Sequence, residues 1–188
     1  MSNFIGIYPN ILSEEQCQTC IQYFEDHPVK YEGAFSLDGK DVVDKKLKDS
    51  TDVSCNFLDY SDMTNIVLDG LEKAVGFYRG EYPDIDKVCQ WQPCENFNIQ
   101  KYLPNQGYHD PHCEMDGLGE NVARVMAWMV YLNTVTDGGQ TRFPTWGIDV
   151  LPRAGTFVIW PAYFTHIHHG ITSKTQTKYI ATGWQVFV

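Results

Sequence analysis

The pattern of the sequence changes near Pro83, and this change limits the folds that the chain can adopt. Before it, the segments 13–26 and 61–79 repeat apolar residues at the spacing of an amphipathic helix. After it, short apolar or alternating segments are separated by glycine, proline and aspartate, which is typical of strands joined by turns. Helices followed by strands predict an α+β protein whose second half is a sandwich or a jelly roll.

The first helix has a readable start and end. Ser13 and Gln16 have the spacing of a capping box, and His27-Pro28 should stop the helix. Between the two helices, the segment 30–55 is polar and contains an Asp38-Gly39 turn signal. Its composition fits either a mobile flap or a surface hairpin.

A CxxC motif, Cys17 and Cys20, lies within the first helix. Such a motif can mark a redox or zinc site. However, both cysteines share the spacing of one helix face with Ile21 and Phe24, and reduced cysteines behave as small apolar residues. We therefore predict that this pair packs in the core.

Length and charge narrow the classes of function. A chain of 188 residues without a repeat or a convincing linker fits one domain. A net charge of −10 argues against nucleic acid as a partner. The chain has no apolar run long enough to cross a membrane and no basic region followed by an apolar one at its N-terminus, so we expect a soluble, cytoplasmic protein without a membrane partner. The sequence does not indicate an oligomeric state.

The placement of histidines indicates a metal site. All six histidines except His27 lie in two clusters: His109 and His112, then His166, His168 and His169. Glu114 follows His112 by two residues, and a strand would point both side chains to one face. Two imidazoles and a carboxylate on one face of an octahedron leave three positions open, which suits non-haem Fe(II) oxygenases. We predict such a site at His112, Glu114 and a histidine of the second cluster.

A series of short motifs surrounds these residues. In chain order they are Tyr102-Leu-Pro-Asn-Gln-Gly-Tyr-His-Asp-Pro-His112-Cys-Glu114, then Arg124 to Tyr131-Leu-Asn133, Asp137-Gly-Gly-Gln-Thr141-Arg-Phe-Pro144, Gly155-Thr-Phe-Val-Ile-Trp-Pro161, the second histidine cluster, Lys178 and Trp184. From about residue 97 to the C-terminus, the chain resembles the 2-oxoglutarate/Fe(II) dioxygenases, especially their prolyl 4-hydroxylase branch. The segment 8–17 also looks like the opening helix of that branch.

The resemblance implies a double-stranded β-helix (jelly roll) core with N-terminal supporting helices. It implies one dioxygenase domain over residues 1–188, with 1–85 as helical support and substrate-side loop and 90–188 as the catalytic core. The implied cofactors are Fe(II), 2-oxoglutarate and O₂, with ascorbate as a candidate reductant. No catalytic residues are expected beyond the metal and cofactor ligands.

The carboxylate ligand departs from the family pattern. The family carries its metal in an HxD…H motif, whereas this chain has Glu114, which is longer by one methylene. Asp110 and Asp116 flank the motif as substitutes, but neither has the His-x-carboxylate spacing. Glu114 is therefore the predicted ligand.

The distal histidine is assigned through a lysine. In the family, a basic residue that pairs with the far carboxylate of 2-oxoglutarate usually lies some ten residues beyond the distal histidine. Lys178 is ten residues beyond His168 and twelve beyond His166. We predict His168 as the third ligand, and His166 remains the alternative.

Lys178 begins an alternating strand, so its side chain should point either into the barrel or, at the strand end, into solvent. A buried ammonium is costly unless an anion meets it, and a dicarboxylate cofactor would supply that anion. By resemblance, Tyr131 and Tyr102 also bind the cofactor, although each could equally be a core aromatic residue. Five residues are predicted to line the pocket: Asn98, Gln100, Thr141, Thr182 and Trp184.

The predicted function is a 2-oxoglutarate-dependent hydroxylase, and by resemblance its substrate is a prolyl residue in a peptide or protein. A free amino acid or another small molecule is an alternative substrate. A non-catalytic metal-binding jelly roll and a zinc hydrolase are alternatives of other classes, but neither explains Lys178. Substrate choice should depend on the segments 30–55, 103–110 and 115–121.

Overall fold

The computed structural model of the chain describes residues 2–37, 39–87 and 90–188, with only the backbone at Glu120. Helix α1 spans Glu14–Asp26 and α2 spans Asp62–Glu81. The predicted capping box is present at α1, where Ser13 Oγ accepts from the Gln16 amide at 3.2 Å and Gln16 Oε1 accepts from the Ser13 amide at 2.9 Å. These bonds satisfy two amides of the first turn that have no partner within the helix.

Fourteen strands and five short 3₁₀ turns accompany the helices in the described residues. The strands are β1 Gly6–Tyr8, β2 Tyr31–Glu32, β3 Phe35–Leu37, β4 Lys40–Val42, β5 Lys48–Asp49, β6 Thr51–Asn56, β7 Trp91–Tyr102, β8 Gly107–Tyr108, β9 Arg124–Tyr131, β10 Thr141–Phe143, β11 Ile148–Val150, β12 Phe157–Pro161, β13 His169–Gly170 and β14 Lys178–Phe187. The 3₁₀ turns are Phe57–Asp59, Pro83–Lys87, Gly119–Ala123, Pro144–Trp146 and Phe164–His166.

The main layer is a seven-stranded sheet in the order β1-β12-β9-β14-β7-β6-β2, and every pair in it is antiparallel. Smaller sheets, β11-β10-β13 and β5-β8, supply the second layer. This arrangement confirms the predicted α+β jelly-roll class. The segment 30–55 contains the β3–β4 hairpin, with Gly39 at φ +74°, whereas Asp38 of the predicted turn lies outside the described residues.

The core is divided by the main sheet. One cluster lies between the helices and the sheet, and it includes Phe24, Leu71 and Phe97. Cys17 and Cys20 belong to the same cluster and are reduced, as their spacing predicts. Burial raises the pKa of their thiols to about 11 and about 12, so both are inert at neutral pH.

The opposite face of the main sheet meets the smaller strands around a second cluster that includes Tyr131, Phe143 and Trp160. The ladder between β14 and β7 pairs Lys178 with Tyr102, Ile180 with Gln100 and Thr182 with Asn98. These paired residues line a cavity on this face. In the described ranges, no helix is long and apolar enough to cross a membrane.

Candidate active site

Backbone pairing brings the two predicted histidine ligands together. His112 and His168 form an isolated antiparallel bridge, and each amide donates to the other's carbonyl, at 3.0 and 2.9 Å. The amide of Glu114 donates to the Ala162 carbonyl at 3.0 Å, which fixes the carboxylate next to this bridge. Residues fifty-six positions apart in the sequence therefore lie side by side.

The three side chains converge on one point. Glu114 Oε1 is 3.3 Å from His168 Nε2 and 3.7 Å from His112 Nε2. One ligand atom from each of the three residues lies within 4.8 Å of the other two. Ligand atoms bound at right angles about 2.1 Å from a metal would be about 3.0 Å apart. The spacing therefore fits three ligands placed around one ion.

The imidazoles are oriented by their other nitrogens. His112 Nδ1 lies 2.8 Å from the Asp110 carbonyl, and His168 Nδ1 lies 3.0 Å from the His166 carbonyl. Each carbonyl accepts a hydrogen bond from the protonated Nδ1, which leaves the lone pair of Nε2 directed at the shared point. Tyr108 stacks on His112 with ring centroids 3.6 Å apart, and this contact further limits the rotation of the ring.

The electrostatics suit a metal site. Burial alone would raise the pKa of Glu114, but hydrogen bonds and charge attraction from His112 and His168 hold it well below its usual range. Burial, together with the neighbouring His168, lowers the pKa of His112. An ionised carboxylate beside a neutral imidazole is the state in which both groups bind metal.

The alternative ligand, His166, is held elsewhere. Its Nε2 lies 2.7 Å from the Asn3 carbonyl, and its Nδ1 lies 2.9 Å from Thr165 Oγ1. Both ring nitrogens therefore have partners away from Glu114. The geometry places His168, and not His166, in the cluster.

A cavity of about 780 Å³ opens next to this cluster, and Lys178 lies on its wall. Lys178 is only 6% exposed, and its Nζ donates to the Gly139 carbonyl at 3.2 Å and lies 4.8 Å from the centre of the Tyr102 ring. Burial lowers its pKa to about 8. Among the described residues, no carboxylate forms an ion pair with this lysine. An anionic group in the cavity would offset the cost of burying its charge.

Other residues that the sequence analysis names lie around the same cavity. Tyr102 borders the cavity, and its hydroxyl donates to Gln100 Oε1 at 2.7 Å. The five residues predicted to line the pocket all do so: Asn98, Gln100, Thr141, Thr182 and Trp184.

Tyr131 is the one predicted cofactor residue that does not border the cavity. It is fully buried, whereas Thr141 of β10 does line the cavity. That hydroxyl donates to Thr141 Oγ1 at 2.8 Å and also lies within bonding distance of the Val150 carbonyl, at 3.2 Å. The Tyr131 hydroxyl is thus bonded within the protein, and its contact with the cofactor stays a prediction.

A buried polar network beside Tyr102 escapes the sequence analysis. Asp52 accepts from Gln100 at 3.0 Å, from Lys48 at 3.1 Å and from Ser50 at 2.7 Å. The Lys48 and Asp52 side chains are only 7% and 11% exposed. Their four-residue spacing and the later strand partner Gln100 are the only signals in the sequence, and the register of β6 on β7 is needed to connect them.

Arg124 is a second residue that the sequence analysis does not single out as part of the site. Its guanidinium lies 3.6 Å from the centre of the Trp184 ring, and its Nη1 donates to the Glu114 carbonyl at 2.9 Å. Arg124 is the first residue of β9, and this position is the one signal in the sequence. The position does not show which residues the side chain contacts.

Known proteins are similar to this chain in the segment that contains the site. Residues 97–186, which hold the whole His-Glu-His cluster and Lys178, match the 2OG-Fe(II) oxygenase superfamily. The matched segment comprises 90 of the 188 residues, and over this segment the chain is similar to that superfamily. The curated "Probable prolyl 4-hydroxylase 9" of Arabidopsis thaliana is 24% identical over 203 residues, which cover 94% of this chain. The chain spans only 66% of the length of that relative.

Solved oxygenase structures share the fold. The viral collagen prolyl hydroxylase vCPH from Paramecium Bursaria Chlorella virus-1, in a 2OG complex, aligns with a TM-score of 0.65 at 19% identity, over 98% of this chain and 97% of that one. A prolyl hydroxylase from Trichoplax adhaerens, in complex with a hypoxia inducible factor peptide fragment, aligns with a TM-score of 0.75 at 14% identity, over 98% and 84%. At these identities the likeness establishes the fold of this chain and nothing more.

The residues of this site fit the Fe(II) and 2-oxoglutarate of that superfamily. Two imidazole nitrogens and one carboxylate oxygen are a donor set that Fe(II) accepts with positions left open. The buried Lys178 ammonium matches a carboxylate at the other end of a short diacid. Glu114 replaces the family's aspartate and still lies within reach of both histidines.

Proposed function

We propose that this protein is a 2-oxoglutarate- and O₂-dependent Fe(II) hydroxylase that acts on prolyl residues of a peptide or protein. The observation that carries the proposal is a single cavity with two complementary sites. His112, Glu114 and His168 converge at one, and the buried ammonium of Lys178 lies at the other. A structural metal site alone gives no reason to bury Lys178 without a carboxylate partner.

The proposal assigns roles to five residues of the cavity. His112, Glu114 and His168 would hold Fe(II), while Lys178 and Tyr102 hold the far carboxylate of 2-oxoglutarate. When both cofactors are bound, they supply the oxidation by O₂ that converts 2-oxoglutarate to succinate and CO₂ and a substrate C–H bond to C–OH. The protein orients the reactants and excludes water.

The walls of the cavity are suited to excluding water. Met129, Trp160 and Ile180 give the cavity apolar surfaces, and each of them is at most 7% exposed. Excluding water strengthens the attraction between Lys178 and an anion, because the local dielectric constant is low. Thr141 borders the same space, and its hydroxyl accepts a hydrogen bond from Tyr131.

A peptide substrate is favoured over a small molecule by the size and edge of the cavity. A five-carbon diacid fills only part of about 780 Å³. The hairpin residues Phe35 and Leu37 and the loop residue Leu118 also border the space, and Leu37 and Leu118 are 54% and 44% exposed. An extended apolar residue such as proline could lie against them. The relatives named above are prolyl hydroxylases, which supports the same choice.

We also propose that residues 1–188 act as one domain. Helices α1 and α2, from the first half, pack against the main sheet through one apolar cluster. Strand β6 of the first half pairs with β7 of the second, so the cavity has walls from both halves.

A turnover screen tests the proposed function. Purified protein with Fe(II), 2-oxoglutarate and ascorbate is incubated with proline-rich peptides, with the same peptides carrying alanine in place of proline, and with free amino acids. We expect succinate formation that depends on the proline peptides, and mass spectrometry should find one added oxygen atom on proline.

The variant His112→Ala should lose this turnover while keeping its circular dichroism spectrum. If only free amino acids were hydroxylated, the proposed substrate class would be wrong, but the proposed hydroxylase reaction would stand. Equal turnover in wild type and His112→Ala, after contaminating metal is removed, would contradict the metal assignment itself.

A further inference from the structure

The two oxygens of Glu114 have different surroundings. Oε1 faces the imidazoles of His112 and His168, at 3.7 and 3.3 Å. Oε2 accepts a hydrogen bond from the indole Nε1 of Trp184, at 2.8 Å. The side chain of Glu114 is only 16% exposed, so little water competes for either oxygen.

The indole is itself held in place. The guanidinium of Arg124 lies 3.6 Å from the centre of the Trp184 ring, and Arg124 Nη1 donates to the main-chain carbonyl of Glu114 at 2.9 Å. The same Nη1 is 3.9 Å from Glu114 Oε2. One arginine therefore contacts both the glutamate and the ring that bonds to it.

This arrangement matters because the glutamate arm is long. A carboxylate can bind a metal through one oxygen or through both, and the extra methylene gives Glu114 more freedom to turn than an aspartate has. Two histidines and one oxygen leave three open positions on an octahedral ion. A chelating 2-oxoglutarate and O₂ would need all three of them.

We propose that Trp184 is a positioning residue that holds Glu114 Oε2 away from the metal, so that the glutamate binds through Oε1 alone. Arg124 supports the indole in this position. The inference rests on the metal site of the proposed function, and it assigns to one indole N–H the task of keeping an open position on the ion. Turning Oε2 towards the metal would break a hydrogen bond to a charged acceptor in a poorly hydrated site.

The competing interpretation is that Trp184 is only a wall of the cavity. Phenylalanine would then serve as well as tryptophan, because it keeps an aromatic face against Arg124. It differs from tryptophan mainly by the loss of the indole N–H and of one of the two fused rings. The variant Trp184→Phe therefore separates the two interpretations. Trp146→Phe is a matched control, because it also removes an indole hydrogen bond, from Nε1 to the Thr165 carbonyl at 3.0 Å, but does not touch Glu114.

The experiment counts water molecules bound to Mn(II) by the relaxation of water protons, without O₂ or 2-oxoglutarate. Wild type and Trp146→Phe should hold three, and Trp184→Phe should hold one fewer because Oε2 takes a position. Addition of 2-oxoglutarate should displace two waters from wild type. Its affinity for the Mn(II) form should fall about tenfold in Trp184→Phe, which is the lower end of the cost of losing a partner of a metal ligand.

The background Glu114→Asp sharpens the test. A shorter carboxylate should lie beyond the reach of the indole and have less freedom to chelate, so Trp184→Phe should leave the water count unchanged there. The same count in wild type and Trp184→Phe would overturn the inference, whatever happens to the affinity for Mn(II). Equal losses in the wild-type and Glu114→Asp backgrounds would also overturn it, since Trp184 would then act through the fold.

A second measurement does not need any variant of Trp184 to fold. In the Zn(II) form of the wild type, the Trp184 indole proton, assigned by triple-resonance NMR, should exchange slowly with water. Fast exchange of this proton would overturn the inference. Failure of the wild type to bind Mn(II) more tightly than His112→Ala would instead contradict the proposed metal site, and the inference with it.

Discussion

The face of the main sheet that packs against the helices differs from the face that lines the cavity in the side chains that it buries. On β7, Phe97 and Ile99 point to the helices, whereas Asn98 and Gln100 point to the cavity. On β14, Ala181 packs in the apolar cluster, and its neighbours Ile180 and Thr182 border the cavity. The same two strands thus supply an apolar core and a polar site, because successive residues alternate between faces.

The difference shows how the molecule divides stability and binding. Apolar burial on the helix face stabilises the fold by about 25 cal/mol for each Å² removed from water. The cavity face buries the ammonium of Lys178, which destabilises the empty protein and becomes favourable only when an anion is present. Substitutions on the two faces should therefore have separable effects on unfolding and on cofactor affinity.

The largest effect should come from truncating the helix face. Phe24 of α1 is fully buried, and its ring packs edge-on against Tyr179, with centroids 5.8 Å apart. Phe24→Ala should lower the free energy of unfolding by about 3–5 kcal/mol, because it leaves a cavity in the core. Urea unfolding measures the loss, and the affinity of the folded fraction for 2-oxoglutarate should stay the same. A large change in that affinity would show that the two faces are coupled.

The next effect belongs to the cavity face. Lys178→Met keeps the length of the side chain and removes the charge, so the affinity for 2-oxoglutarate should fall about 10- to 100-fold, as the loss of one charge-assisted hydrogen bond predicts. The free energy of unfolding should not fall, since no buried charge remains. Isothermal titration in the presence of Mn(II) measures the affinity.

Lys101→Met is the matched control for Lys178→Met. Lys101 lies on β7 next to Tyr102 but forms a surface ion pair with Glu25 at 2.7 Å. Its replacement should leave the affinity for 2-oxoglutarate unchanged. Equal affinities in wild type and Lys178→Met would exclude Lys178 as the anchor.

The pH dependence should report the same lysine. Its pKa of about 8 is below the ordinary value, so the lysine loses its proton as the pH rises through 8. Above that pH, the affinity for 2-oxoglutarate should fall by up to about tenfold per pH unit, and Lys178→Met should not show this dependence. Between pH 8 and about 10.4 the unfolded chain binds the extra proton, so the free energy of unfolding should rise with pH. A rising affinity in this range would contradict the assignment.

The smallest effect should be at Tyr131. Tyr131→Phe removes the bond to Thr141 and should lower the free energy of unfolding by about 1 kcal/mol. Since the ring does not line the cavity and its hydroxyl bonds to Thr141, the affinity for 2-oxoglutarate should change by less than about threefold. A drop as large as that of Lys178→Met would mean that Tyr131 reaches the cofactor after all.

The parts of the structure that depend on local signals are predictable from the sequence. Ser13 and Gln16 define the start of α1, and the alternation of 178–187 matches β14. The ten-residue spacing to Lys178 selects His168, and the structure places that histidine opposite His112. Strand alternation decides which face a side chain takes, and Asn98 and Gln100 border the cavity.

The parts that depend on distant pairing are not predictable in this way. Alternation puts Tyr131 on the cavity side of the sheet but cannot show that its hydroxyl bonds to Thr141, from another strand. The contact of Asp52 with Gln100 depends on the register of β6 on β7, over 48 residues of sequence. The bond from Trp184 to Glu114 likewise joins residues 70 positions apart, so nothing local in the sequence reveals it.

The central claim is that one cavity binds Fe(II) through His112, Glu114 and His168 and binds 2-oxoglutarate beside it. Anaerobic titration of the apo protein with Fe(II) and 2-oxoglutarate tests this claim most directly. Chelation of the iron by the oxoacid should give a weak visible charge-transfer band in wild type, and His112→Ala should lack the band. A wild type without the band at saturating concentrations, or a band of equal strength in His112→Ala, would contradict the claim.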